Sequence, residues 1–559
     1  MPYVARYLAL LSYLLLAPLH AATSPEPTSA PTNTQAGLAN TAQTDLQTVK
    51  TPINNIVVVS HAIFDESDPE AFFIHRWANY LHINTRESTI LSKLSFDAAD
   101  QVSQQDIEEA QRILRYEPYI RDAQITFAQP DPDADPTGPG KTILVQTWDN
   151  WSLLPTFSAS RSGGESKFSI GIKEDNLLGY GIRTRLKYKS STDRSGYQLA
   201  FQAPMDNWIR RATLSVNFYD NSDGEAAMVD FTKPFYTLDD TDMYSGRYIN
   251  DLRTDTLRQN GVDVNQFEHQ INFNNVQYGW RLNKENDWRS RVLVGVTQDQ
   301  HSFEHIAEFT DAPLPQDRDY LYPWIGYHYL QDDFKVLNNV YLINYNEDIN
   351  LGWQHYVSLG IETQDTDDNS PVGYHINWRS SRGYQSDTQL LLMNIDGEGV
   401  FATSQPDYFK VSTTAEYFYQ MSPKWTAYAK MRLSASQNNY LDQTFALGDN
   451  TGVRGYPNDY QHGDNQWLVT AEIRNYPNIN LYQLAELGWA VFSDYGHATG
   501  GTDQDNEESG PIGSFGIGAR IYSSRSSYGS VAHIDLSVPF TSGADVNSWE
   551  WRFQVKQHF

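Results

Sequence analysis

The sequence predicts an all-β transmembrane barrel of antiparallel strands, preceded by one small α+β domain. Three observations predict it. Beyond Asp149 helical periodicity disappears, and strand-like runs of about 9 to 12 residues alternate apolar with polar positions. The chain opens on an export signal, yet no internal stretch approaches the roughly 18 to 20 continuous apolar residues of a membrane helix. Aromatic residues make up 13% of the chain, with 35 Tyr and 14 Trp, an excess that suits anchoring at two membrane–water interfaces.

Alternation alone would also fit an aromatic-rich soluble β-protein; the length of the runs separates the two. A tilted membrane strand needs about 9 to 11 residues, whereas globular strands average about 5 or 6. Ile182, Thr184, Leu186 and Tyr188 alternate with Arg183, Arg185, Lys187 and Lys189. Trp467, Val469, Ala471 and Ile473 alternate with Leu468, Thr470, Glu472 and Arg474. Trp549, Trp551, Phe553, Val555 and Phe559 alternate with Glu550, Arg552, Gln554, Lys556 and His558. Open sheet edges are not tolerated in lipid, so the strands close on themselves. The count of strands falls between about 16 and 20, because Tyr320 to Met393 does not divide cleanly. Long loops are expected at 237–265, 301–319, 437–465 and 497–512.

In front of the barrel, Arg6 precedes an apolar run from Tyr7 to Pro18, and His20-Ala21-Ala22 offers small residues for cleavage, so residues 1–22 read as a secretory signal. Residues 23–50 are rich in Ser, Thr, Pro, Ala and Gln and read as a flexible leader. Residues 51–148 read as the α+β domain and 150–559 as the barrel. Within the former, Ile53 to Val59 reads as a strand and Pro69 to His82 as a helix bearing Phe72, Phe73, Ile74, Trp77 and Leu81. Ser103 caps a second helix with Ile107, Ala110, Ile113 and Leu114 on one face. Two strands follow, Tyr119 to Phe127 and Lys141 to Thr147.

A net charge of −28 argues against nucleic acid as a partner. There is no cysteine, which excludes disulfide and thiolate chemistry. The 14 His are scattered, with no spacing that suggests a triad or a metal set. Asp365, Asp367 and Asp368, or Asp503 and Asp505, lack the Gly and Glu spacing of a calcium loop. Neither an enzyme nor a cofactor or metal is indicated.

The residues that carry function lie late in the chain. Val453-Arg454-Gly455-Tyr456 sits in the loop from Gln437 to Asn465. Phe492-Ser493-Asp494-Tyr495-Gly496 ends a strand on which Trp489 and Val491 face outward, so Asp494 faces the lumen. Gly516-Ile517-Gly518-Ala519-Arg520 lies on the next strand, with Phe515, Ile517 and Ala519 outward and Arg520 inward. A shielded carboxylate needs a partner, and an Arg on a loop folded back into the barrel offers a planar, two-pronged one.

These motifs resemble those of the outer-membrane assembly and two-partner-secretion superfamily, whose members include BamA, TamA and FhaC. The resemblance rests on Val453 to Tyr456 as its VRG-Phe/Tyr loop motif, Phe492 to Gly496 as F-x-D-x-G, and Gly516 to Arg520 as G-x-G-x-R. It is supported by the asparagine-containing turn at Glu174 to Gly181 and by the terminal aromatic Phe559. It covers about 500 residues and implies a barrel of about 16 strands, with residues 51–148 as one POTRA domain in the periplasm. It further implies that Arg454 contacts Asp494 inside the lumen, and that Phe559 serves the chain's own assembly as a C-terminal signal. A seam that opens sideways would join the first strand, near Ser169, to the last, near Val555. The implied function is insertion of outer-membrane proteins or translocation of polypeptides. The implied partners are periplasmic polypeptide clients, outer-membrane lipids and lipopolysaccharide, around a monomeric barrel. The chain departs from the family in having room for a single POTRA domain, and no N-terminal plug helix is read. A passive pore, or a lipid or solute transporter, stays open as the alternative.

Overall fold

The structure, a computed structural model, describes residues 50–556 apart from 68–72, 129–140, 163–164, 286, 367–368, 370–371, 502, 527–530 and 544. The expected export signal, nearly all of the expected leader, and Phe559 lie outside the described residues.

The α+β unit runs β1 (Thr51–His61), α1 (Phe73–Leu81), α2 (Glu87–Lys93), β2 (Gln101–Val102), α3 (Gln104–Tyr116), β3 (Ile120–Phe127) and β4 (Lys141–Asp149). The expected order of elements is present, with α2 and the two-residue β2 added to it. Helix α3 starts where it does because the Ser103 hydroxyl accepts from the Asp106 N–H, while the Asp106 carboxylate accepts from the Ser103 N–H at 2.8 Å. Its face of Ile107, Ala110, Ile113 and Leu114 is buried. The sheet runs β2-β1-β4-β3, with β1 parallel to β4, and Ile53, Ile90, Leu94, Tyr119, Ile125, Ile143 and Val145 close the core. Helix α1 departs from expectation. It buries His75 and Ala78, both 0% exposed, and leaves Phe73 and Trp77 at 69% and 58%. The reason is what it packs on: Ala78 joins Ile63 and Phe64, with Trp151 and Leu484 at the barrel's end, rather than the core of its own sheet.

Twenty antiparallel strands close the barrel. That is the upper end of the count and four more than the resemblance implies. The undivided stretch resolves into Arg318–Gln331, Gln354–Glu362, Gly373–Gln385 and Gln389–Phe401, with a small hairpin between the first two. The barrel's first strand is Leu153–Ser162, and it neighbours the last, Glu550–Lys556. The seam therefore lies one strand earlier than Ser169, which sits on the second strand, Glu165–Leu177. The polar run Ser158 to Gly164 disguises the first strand in the sequence. Outward positions carry the apolar band: Phe157, Ile170, Leu186, Val491, Ile517 and Trp551 are all exposed, as a lipid-facing surface requires. Among the described residues no helix is long and apolar enough to cross a membrane.

An even number of strands returns the chain to the end where the α+β unit sits, called proximal here. At the distal end the loop expected at 237–265 is not a loop. Asp242–Gln259 and Val262–Glu285 form a hairpin of 18 and 24 residues, turning at Asn260-Gly261, both in the left-handed region. Its outer half stands beyond the lipid, where no apolar face is needed, so alternation of hydrophobicity gave no sign of it. Its tip leans over the barrel mouth, and the Asn260 N–H donates to the Tyr460 carbonyl at 3.2 Å.

Candidate functional site

The loop 438–464 connects Trp425–Gln437 to Asn465–Leu481 and folds down into the lumen from the distal end. Two three-residue strands, Phe445–Leu447 and Gln461–Gly463, pair to give it shape. Val453 and Tyr456, both fully buried, pack with Leu447, Tyr460, Leu468 and Ile512. The Tyr456 hydroxyl donates to the Gly513 carbonyl at 2.9 Å, which fixes the motif against the strand Ile512–Tyr522.

Between these anchors Arg454 points into a lattice of charges. Its Nε and Nη2 donate to the two oxygens of Asp494 at 2.6 and 2.9 Å, the two-pronged geometry of the strongest guanidinium–carboxylate contacts. Nη2 also lies 3.1 Å from Glu472, and the guanidinium stacks 3.4 Å over the Phe492 ring. Thr470 donates its hydroxyl to Asp494 at 2.9 Å. Burial works against the Arg454 charge, but Asp494, then Glu472 and Asp535, outweigh it and hold its pKa above the ordinary arginine value.

The glycines of the motifs leave room for this arrangement. Gly455 adopts φ +93°, and its N–H donates to Asp449 at 2.8 Å; a side chain there would be strained. A Cβ on Gly516 would stand 2.4 Å from the Phe492 ring, and one on Gly518 would stand 2.1 Å from Asp535. Gly496 lies against the backbone of Trp467 and leaves space for Leu447 of the loop. Arg520 is fully buried and donates to Asp535 at 2.6 Å, so it supports the lattice without touching Asp494.

Four further members were not singled out in the sequence as site residues: Glu472 and Arg474, which pair at 2.8 Å, Asp535, and Arg552. Arg552, on the last strand, lies 3.2 Å from Asp449 of the loop and 3.2 Å from Asp535. The signal was present in the alternation, which puts all four on inward positions next to the motifs. Counting Asp449 and Asp494, four carboxylates face Arg454, Arg474, Arg520 and Arg552. The buried charges therefore balance, as a water-poor site demands.

A second segment, 332–353, enters the lumen from the proximal end. Its short hairpin pairs Phe334–Asn338 with Asn346–Asn350. Ile343, fully buried, packs against Tyr476, Ala490, Tyr522 and Val531, while Val340 and Leu351 pack with Leu390, Phe418 and Tyr428. Arg474 joins the two segments: it pairs with Glu472 below Arg454, and its Nη1 reaches the Val340 carbonyl at 3.4 Å. Arg115 of α3 grips the hairpin through both oxygens of Asp348 at 2.9 and 2.8 Å.

Elsewhere, strand register and the start of the distal loop bring together ligand-type groups that spacing did not reveal. His269, His301 and Asp442 offer atoms within 4.8 Å of one another. Each has a protein partner, Asp255, Asp299 and Arg318 respectively, so the cluster is a satisfied polar network.

Residues 343–521 match the family model described as haemolysin secretion/activation protein ShlB/FhaC/HecB. That span holds the proximal segment's Ile343, the loop, Asp494 and Gly516 to Arg520, and it bears out the resemblance read from the motifs. Among solved structures the chain is similar to BamA from Haemophilus ducreyi lacking POTRA domains 1-3, at 10% identity over 90% of this chain and 84% of that one, TM-score 0.40. It is also similar to CdiB from Acinetobacter baumannii, at 13% identity over 90% and 74%, TM-score 0.45. CdiB from Escherichia coli aligns at 10% identity over 98% and 95%, TM-score 0.37. No curated protein sequence matches the chain.

Proposed function

We propose that this chain is a bacterial outer-membrane factor that translocates or inserts polypeptides, with the α+β unit in the periplasm serving as a POTRA-like domain. The observation that carries the reading is the loop latched inside the lumen by Arg454 and Asp494. A passive pore keeps its lumen open, whereas here two segments enter it from opposite ends. The latch also lies beside the seam, since Asp449 of the loop contacts Arg552 of the last strand. Release of the loop would thus loosen the strand that must part from Leu153–Ser162. That first strand carries Pro155, a residue without an N–H to donate and ordinarily confined to sheet edges. The α+β unit has β3 as an outer strand of its sheet, an edge to which an extended client would add as a further strand by displacing side-chain bonds such as that from the Ile125 N–H to Gln111. Lipid and lipopolysaccharide surround the outward apolar band, and the barrel works as a monomer.

The test joins the two seam strands. Arg161 and Glu550 meet across the seam at 2.8 Å, so Arg161→Cys with Glu550→Cys, bridged by a bismaleimide, locks it. Client release or barrel insertion in reconstituted vesicles falls to background in the bridged form and stays near wild type in the unbridged one. Full activity of the bridged form would overturn sideways opening. A large steady conductance of the intact chain, with unchanged client traffic after removal of 52–148, would favour the passive pore.

A further inference from the structure

Helix α1 presents an apolar face that is largely exposed among the described residues. Phe73, Trp77, Tyr80 and Leu81 recur at the spacing of one helix face, with exposures of 69%, 58%, 85% and 42%, and Ile83 continues the patch just beyond. An exposed aromatic cluster of this kind marks an interaction surface. The opposite face is pinned to the barrel's proximal rim: His75 Nε2 lies 2.8 Å from the carbonyl of Tyr482, in a proximal turn, and Ala78 packs by Trp151, just ahead of the first strand. Trp151 in turn bonds through its N–H to the Arg525 carbonyl at 2.8 Å. The helix therefore bridges from the turn before the strand Ala485–Thr499 to the first strand, under the seam.

What covers the exposed face follows from its neighbours. Leu81 and Ile83 share one crevice with Leu153, Ile172, Leu186 and Leu199, which are outward residues of the first four strands and belong to the lipid-facing band. The helix face is thus continuous with the barrel surface that the bilayer already covers. Arg86 stacks 4.1 Å over the Tyr180 ring at the same rim, placing a cation where lipid headgroups begin. Helix α1 itself carries one charge, Arg76, and no acidic residue.

We propose that α1 is an in-plane membrane helix, its Phe73–Trp77–Tyr80–Leu81 face seated in the proximal leaflet of the bilayer beneath the seam. Its ligand is a phospholipid surface, engaged by apolar burial at the headgroup boundary. The helix would hold the α+β unit at a fixed height against the membrane next to the strands that part.

The absence of native cysteine allows a direct test. Single variants Trp77→Cys, Tyr80→Cys and Tyr116→Cys are labelled with a nitrobenzoxadiazole fluorophore in the full chain, reconstituted in phosphatidylethanolamine/phosphatidylglycerol vesicles. Tyr116, 90% exposed at the end of α3, is the aqueous reference; all three sites are exposed, so the barrel folds. Probes at 77 and 80 emit at shorter wavelength than at 116, are quenched several-fold more by doxyl-labelled lipid, and are protected from iodide present on both sides. Equal iodide quenching at all three sites would overturn the proposal. So would a blue-shifted emission at 77 and 80 that doxyl lipid leaves untouched, which would assign the face to a protein partner. Neither outcome depends on the lumen latch.

Discussion

The two segments that enter the lumen differ in how much buried charge they carry. The distal loop adds buried ions to the apolar packing of Val453 and Tyr456: Arg454 and Asp449 insert charges of both signs into a wall of matching partners. In the lumen the proximal hairpin is held by apolar packing of Ile343, Val340 and Leu351, with its one two-pronged ion pair, Asp348 to Arg115, made to the α+β unit. Buried ion pairs contribute little net stability but are costly to break halfway, so a partly withdrawn loop is disfavoured relative to a latched or a fully hydrated one. Apolar contacts weaken gradually with area, so the hairpin can loosen by degrees. Arg474, which touches the hairpin at Val340 and meets Arg454 only through their shared partner Glu472, is the link between the two.

The sharpest way to break the comparison is at Arg454. Removing one partner leaves Asp494 and Glu472 charged and uncompensated, so Arg454→Ala destabilises the latched loop by roughly 3–5 kcal/mol. The barrel stays folded, activity falls, and single-channel recordings show frequent openings from the distal side. Combining it with Asp494→Ala loses less than the sum of the two singles, because the second change removes the stranded carboxylate. An additive pair would show that the two side chains act independently.

Ile343→Ala tests the other half. Deleting a buried aliphatic side chain costs about 2–5 kcal/mol in a rigid core, and here ~2–3 kcal/mol, because a segment at the barrel's mouth can settle. Proximal openings become longer while the distal latch keeps its wild-type response to Arg454→Ala. If the Ile343→Ala and Arg454→Ala effects fail to add, coupling through Arg474 is strong and the two segments move as one.

How much of this was legible in the sequence depended on which solvent a segment meets. Strands inside lipid must alternate, so Ile182 to Lys189 and Trp467 to Arg474 declared their faces. The outer half of the hairpin at 242–285 hid its strands behind Asp251, Arg253 and Asp255, although Asn260-Gly261 is a turn signal in its own right. Helix α1 showed its period plainly, but period says only that one face is apolar, and the sheet, the barrel and the bilayer are all possible covers. The approach of Arg454 to Asp494 was implied by family motifs. Glu472, Arg474, Asp535 and Arg552 needed strand register, because their spacing of 2 to the next inward residue is shared by every other lumen position. The proximal hairpin went unread although Asn338-Asn339 and Asn344 are turn-type residues, because the strands of Phe334 to Asn350 are too short to show an alternation.

The smallest effect distinguishes the segments by pH. Glu347 of the proximal hairpin accepts from the N–H groups of Val340, Tyr341 and Leu342 at 3.0 to 3.2 Å. Burial dominates over these bonds and over the attraction of Arg474, pushing its pKa from 4.5 up to about 7. A pKa raised in the seated state means that the proton favours seating. The contribution is therefore full below about pH 4.5, falls across the window up to about pH 7, and is gone above it. One proton changes hands, so the slope cannot exceed about 1.4 kcal/mol per pH unit. Proximal openings should thus lengthen as pH rises from 5 to about 7.5, and Glu347→Gln should flatten that dependence while leaving distal openings unchanged. Arg454 stays charged throughout this range, so the latch supplies no slope of its own. A pH dependence surviving in Glu347→Gln would place the titrating group elsewhere and remove the graded, proton-sensitive character assigned to the hairpin.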